Sequence, residues 1–257
     1  MTVTTPRVFV PVLLFGLLLG VASTANADAI SFISVNVSNI QFTPAAGTAT
    51  LTLATASARA QAGNSLGEDQ TILSNTFPVA QSAVAVTFAS ASAIANATNA
   101  SVSGVAQANV FGCSCSAGSL SQSILTGTLV VLGGEGSVNV TASGLFEGLT
   151  HLETDAFGRN VELGWLFDLT VNGVPVFSID FENTRAGANQ LASTEFSNQM
   201  SRVFTVQFGA VNQISIRLTP TALGINEVPE PASIALLISG LGFMTGVIRK
   251  RRKSAGN

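Results

Sequence analysis

The chain has 257 residues; an apolar leader (residues 1–27) and an apolar, base-ended tail (residues 228–257) leave 200 residues between them, enough for a full hydrophobic core. A mean hydropathy of +0.47 suggests an integral membrane protein, but the long apolar runs sit only at the two ends, so the middle is expected to be soluble. That middle carries 13 acids against 5 arginines and no lysine, a formal charge of −8; phosphate binding needs clustered Lys and Arg, so nucleic acid is excluded as a partner.

In the leader, Arg7 precedes the apolar run 8–21, and Ala25-Asn26-Ala27 precedes Asp28. Charge, apolar core and small residues at Ala25 and Ala27 come in the order of a secretory signal peptide. The expectation is cleavage by signal peptidase after Ala27 and an exported mature chain.

From there the readable periodicity is two. In residues 48–62, Thr50, Thr52, Ala54, Ala56, Ala58 and Ala60 alternate with Ala49, Leu51, Leu53, Thr55, Ser57 and Arg59. This predicts a long strand rather than an Ala-rich helix, because interleaved Thr and Ser compete for helical backbone hydrogen bonds. Residues 84–111 repeat the style, with Ala89, Ala91, Ala93, Ala95 and Ala97 on one side and residues 102–111 returning as a hairpin partner after Thr98-Asn99. Such small side chains specify register weakly.

Cys113-Ser114-Cys115 is the one thiol pair. A structural disulfide, free or intermolecular thiols, and a redox or metal role all stay open. Export favours oxidation, whereas neighbours two apart on a strand lie near the ~6.8 Å limit for a bridge. Residues 124–132 and 137–146 flank the turn formed by Gly133, Gly134, Glu135 and Gly136. His151 could join Glu153 and Asp155 as a metal or acid–base set; a solvated loop histidine is the plainer reading.

Asn172-Gly173 is the sharpest turn signal, between residues 161–171 and 174–182. A two-residue loop would mix apolar and polar residues on one face. A bulge instead pairs Leu169 with Phe177, Phe167 with Ile179 and Trp165 with Phe181, which places Trp165 in the core. The same register puts Asp168, Asp180 and Glu182 on the opposite face as a weak Ca²⁺ candidate, with no carbonyl-bearing loop beside it. Residues 184–200 read as a loop or short helix. Beyond them, Phe204, Val206 and Phe208, then Ile214, Ile216 and Leu218, each line one face of a strand. The fold class is therefore all-β: an antiparallel β-sandwich of roughly eight to ten strands, a jelly roll being one of its forms.

At the end of the chain, Pro229-Glu230-Pro231 precedes 17 uncharged residues (232–248) and the cluster Arg249-Lys250-Arg251-Arg252-Lys253. As a helix the apolar run spans roughly 25 Å, which predicts a transmembrane segment with its basic end held in the cytoplasm. Residues 28–227 then form an extracytoplasmic domain. Tripeptide, apolar run with Gly240, Gly242 and Gly246, and basic end together resemble a PEP-CTERM sorting signal over about residues 228–253. The resemblance implies a Gram-negative host with an exopolysaccharide matrix, an exosortase that processes the chain near Pro229-Glu230-Pro231, a transient inner-membrane precursor, and delivery to the cell surface or outside. About the domain itself it implies little.

With one histidine, no lysine and no tyrosine in the middle, the usual general acids, bases and nucleophiles are scarce. The functional expectation is a non-catalytic surface or matrix protein without a cofactor. The alternative is a glycan-binding module of the exopolysaccharide matrix, which would need exposed aromatic faces.

Overall fold

A computed structural model describes residues 28–111, 115–154, 159–187 and 190–226. Period-two patterning becomes twelve strands among them: β1 (Asp28–Pro44), β2 (Thr48–Asn64), β3 (Asp69–Ser74), β4 (Val79–Val86), β5 (Ala89–Asn96), β6 (Ser101–Phe111), β7 (Cys115–Leu132), β8 (Ser137–Thr154), β9 (Arg159–Val171), β10 (Val174–Ala186), β11 (Gln190–Gln207) and β12 (Asn212–Asn226). They form two six-stranded sheets, ordered β11-β8-β1-β6-β5-β4 and β10-β9-β12-β7-β2-β3. Every pairing is antiparallel. The inner faces of the two sheets share one core.

That core has two textures. Where β2, β4, β5, β6 and β7 face one another it is built from small residues, among them Ala58, Ala60, Ala91, Ala93, Ala106 and Ala108. Here serines of one sheet reach the backbone of the other: the Ser121 hydroxyl donates to the Ser92 carbonyl and Ser123 to Ser103, both at 2.6 Å, while the Gln107 N–H donates to Ser119 at 2.7 Å. A hydroxyl can bridge the layers only if they approach more closely than the ~10 Å usual for stacked sheets. Towards β8, β9 and β10 the filling is aromatic. Phe146 sits edge-on to Phe167 at 4.8 Å, and Trp165 stacks on Phe196 at 5.7 Å.

The alternation expected over residues 48–62 forms one strand, with a phase change in the middle. Its register against β7 shifts between Leu53 and Thr55. Leu51 and Leu53 on one side of the bulge, and Ala56, Ala58, Ala60 and Ala62 on the other, thereby all face the core. Gly127 lies opposite: a Cβ there would come within 2.3 Å of the Thr52 carbonyl oxygen and 2.7 Å of the Leu53 Cα. Gly127→Ala must push backbone rather than a side chain, so it should destabilise the domain by about 1–3 kcal/mol in denaturant unfolding.

The hairpin of β9 and β10 has the expected bulged register. Leu169 pairs with Phe177, Phe167 with Ile179 and Trp165 with Phe181, with the shift between Pro175 and Phe177. Trp165, Phe167, Phe177 and Phe204 are buried, as are Ile214, Ile216 and Leu218.

Other expectations are corrected. The described part of residues 184–200 is strand apart from a bend at Gly187, not a loop or short helix: β10 runs through Ala186 and β11 is an 18-residue strand from Gln190. The run from Val84 is broken at Thr87-Phe88, where Phe88 takes a φ of 71° and turns β4 into β5. β8 continues to Thr154, so His151 is a strand residue between Phe32 and Ser193 rather than a loop residue. The turn at residues 133–136 joins strands of different sheets. A jelly roll does not fit, since β2-β3, β4-β5, β5-β6 and β9-β10 are all hairpins within one sheet.

The helical part of the expected architecture is also corrected. Among the described residues there is no helix, and so none long and apolar enough to cross a membrane. The span expected over residues 232–248 lies outside the described residues. The transmembrane helix, the inner membrane as a transient partner and the inner-membrane precursor with a cytoplasmic end therefore rest on no helix of this structure.

Candidate functional site

Both ends of the described domain leave from the same pole. Ala29 pairs with Val110 and Thr154. Asn226 pairs with Arg159 and Cys115. Asp28, the residue after the expected signal-peptidase site, thus begins β1 at the pole where β12 hands over to the tail.

Cys115 is buried at this pole and disulfide-bonded. Cys113 lies outside the described residues, as do Ala25 and Ala27, Pro229, Glu230 and Pro231, the basic residues Arg249, Lys250, Arg251, Arg252 and Lys253, and Asp155. His151 stands 3.3 Å from Glu153, both partly exposed, which leaves a two-residue contact on one strand.

Beside the exit of β12 a cleft of about 580 Å³ opens between the β2–β3 loop and the outer face of β7 and β12. Its floor is shallow because Gly63 and Gly118 pair directly across β2 and β7. Its rim includes Asn64, Ser65, Glu68, Asp69 and Thr221. Glu68 fastens the rim: it accepts from Asn64 at 2.6 Å, from the Thr87 N–H at 2.8 Å and from the Thr87 hydroxyl at 3.1 Å. Those bonds, from Thr87 foremost, hold its carboxyl below the ordinary value.

The Ca²⁺ candidate does not assemble. Asp168, Asp180 and Glu182 share a sheet face, but no group of three or more His, Cys, Asp or Glu among the described residues could hold a metal ion. Asp168 is already engaged, accepting from Arg217 on β12 and from the Ser178 hydroxyl at 2.7 Å. Burial acts to raise its carboxyl, yet the two hydrogen bonds and the Arg217 charge outweigh that and hold it below the ordinary value. Glu182 instead stands near Glu162, an acid absent from the expected cluster. Burial, then the charge and hydrogen bond of Glu182, push the Glu162 carboxyl up.

Asp168→Asn should therefore cost about 1 kcal/mol at neutral pH, discounted because the Arg217 side chain is 43% exposed. A depressed carboxyl contributes stability above its unfolded value and loses it as pH falls through the folded one. The gap between wild type and variant should thus be full at neutral pH and close on acidification, read from unfolding midpoints across pH.

An all-β domain is what these features define: a sandwich whose two termini share a pole and whose last strand, β12, ends at Asn226. Residues 227–253 match the PEP-CTERM protein-sorting motif, and the chain carries that motif. No curated protein matches the chain. The sorting tail marks an exosortase substrate.

Proposed function

We propose that the protein is a non-catalytic component of the cell surface or extracellular matrix, delivered through its PEP-CTERM tail. The observation that carries the reading is that tail, at the end of a sandwich in which Asp168 and Glu68 are engaged in structural contacts. Asp168 is held by Arg217, and Glu68 by Thr87 and Asn64. The scarcity of histidine, lysine and tyrosine between leader and tail supports the same conclusion. In the native host the protein should fractionate with surface or matrix material, and a chain lacking residues 227–257 should be lost from that fraction. Equal recovery without the tail would refute delivery by this route.

Glycan binding is the second reading, favoured by the hydroxyl- and amide-rimmed cleft. Burial of Trp165, Phe167, Phe177 and Phe204 removes the aromatic faces on which sugars would stack. Among the described residues the strongly exposed phenylalanines lie in three different places, Phe77 between β3 and β4, Phe111 at the end of β6 and Phe181 on β10. Binding of the host's own exopolysaccharide, abolished by Gly118→Leu in the cleft floor, would establish this reading. Unchanged binding in that variant would remove the cleft from it.

A further inference from the structure

Each sheet ends in two edge strands, and three of the four edges carry features that discourage pairing with another chain. β3 has 6 residues and β4 has 8. β10 has Pro175 as its second residue, followed by a bulge, and then presents Asp180 and Glu182. β11 is neither short nor bulged. It is 18 residues long, contains neither proline nor glycine, and pairs only with β8 among the described residues. Of its two charges, Glu195 faces outward, while Arg202 turns over the Phe177 ring at 4.8 Å.

The outward row of β11 is Leu191, Ser193, Glu195, Ser197, Gln199, Ser201, Val203 and Thr205. Its two apolar members are strongly exposed, Leu191 at 67% and Val203 at 63%. They are equidistant from Ser197. If two copies pair antiparallel about a twofold axis at Ser197, Leu191 of each faces Val203 of the other. Ser193 then faces Ser201, and Glu195 faces Gln199. On this outward face apolar meets apolar and polar meets polar, while the inward row sets Phe196 against Asn198, Thr194 against Met200 and Ala192 against Arg202, and on neither face does a charge oppose its like. Shifting the axis by one residue to Asn198, or by two to Gln199, breaks the match of the outward row, setting Leu191 against Thr205 or Gln207.

We propose that β11 is an interface between two copies of this chain, joined edge to edge in this self-complementary register as a continuous twelve-stranded sheet. The interface is isologous, so it closes at the dimer and uses up the unprotected edge instead of propagating it.

Cysteine crosslinking of the exported protein tests both partner and register. Residues directly opposite in an antiparallel pair have Cα atoms about 4.5–5.5 Å apart, within disulfide range. Ser197→Cys should give a covalent dimer under mild oxidation. Ser193→Cys and Ser201→Cys should not crosslink singly, yet should do so when combined in one chain. Sedimentation supplies a second readout: Leu191→Lys or Val203→Glu alone should weaken the dimer roughly tenfold or more, and the double variant should restore it by placing opposite charges across the seam. Circular dichroism unchanged from wild type verifies that each variant folds. A monomeric wild type, or Ser193→Cys crosslinking as readily as Ser197→Cys, overturns the proposal, whether the tail or another protein covers the edge.

Discussion

Protein from the native host in which Pro229, Glu230 and Pro231 are replaced by alanine should keep its tail through Asn257, while the wild-type chain should end near residue 230. The expectation follows from what the tripeptide can do physically. Proline fixes φ, removes a backbone donor and biases the preceding residue to extended conformations, so two prolines around one glutamate hold a short stretch of extended, unpaired chain. A protease cleft takes extended backbone. Alanine, the best helix former, removes that bias while leaving the segment's length unchanged. Mass spectrometry of the intact protein reads the outcome directly. A wild-type chain ending at Asn257, or a triple variant processed like wild type, would show that the tripeptide does not direct cleavage.

Inside the domain the largest single loss is expected at Phe167. Its side chain is fully buried, sits edge-on to Phe146 at 4.8 Å and lies 5.9 Å from Phe177, so its neighbours come from both sheets. Phe167→Ala should cost about 3–5 kcal/mol, the transfer term plus the cavity that a two-layer core cannot collapse to fill. Phe181→Ala, on the edge strand and 36% exposed, should cost about 1 kcal/mol. Trp165 is the chain's one tryptophan and lies beside this cluster, so its emission serves as the unfolding probe. The same emission should be blue-shifted in the native state, and a spectrum like that of tryptophan in water would reject the hairpin register.

That register was legible in the sequence because large apolar residues alternate without ambiguity, and only one pairing put Trp165, Phe167 and Phe177 on the same side. Where side chains are small the pattern showed strands but not their interruptions. The Thr87-Phe88 turn has no glycine, proline or asparagine to signal it, and the bulge near Ala54 is visible only against β7. The first part of β11, up to Met200, reads as loop or helix for a different reason, whereas its end around Phe204 and Val206 reads as strand. As an edge strand it buries little of its inner face between Leu191 and Gln199, so polar residues occupy both sides and period two fades. The outer-face acids needed long-range information: Arg217 reaches Asp168 only because β12 inserts between β9 and β7, a neighbour relation with no local signature. Glu162 was within reach, since the hairpin register already placed it diagonally across from Glu182.

The shared pole of the two chain ends determines how an attached molecule would present itself. If the processed C-terminus is the point of attachment, β1 and β12 both start or stop there, and the turns at residues 45–47, 133–136, 172–173 and 208–211 all lie at the far end. A 17-residue strand at ~3.3 Å per residue carries that end up to about 55 Å away. Held this way the sandwich stands like a bristle, its turns forming the outermost layer met by anything that approaches the cell, and its long flanks turned towards its neighbours in the coat.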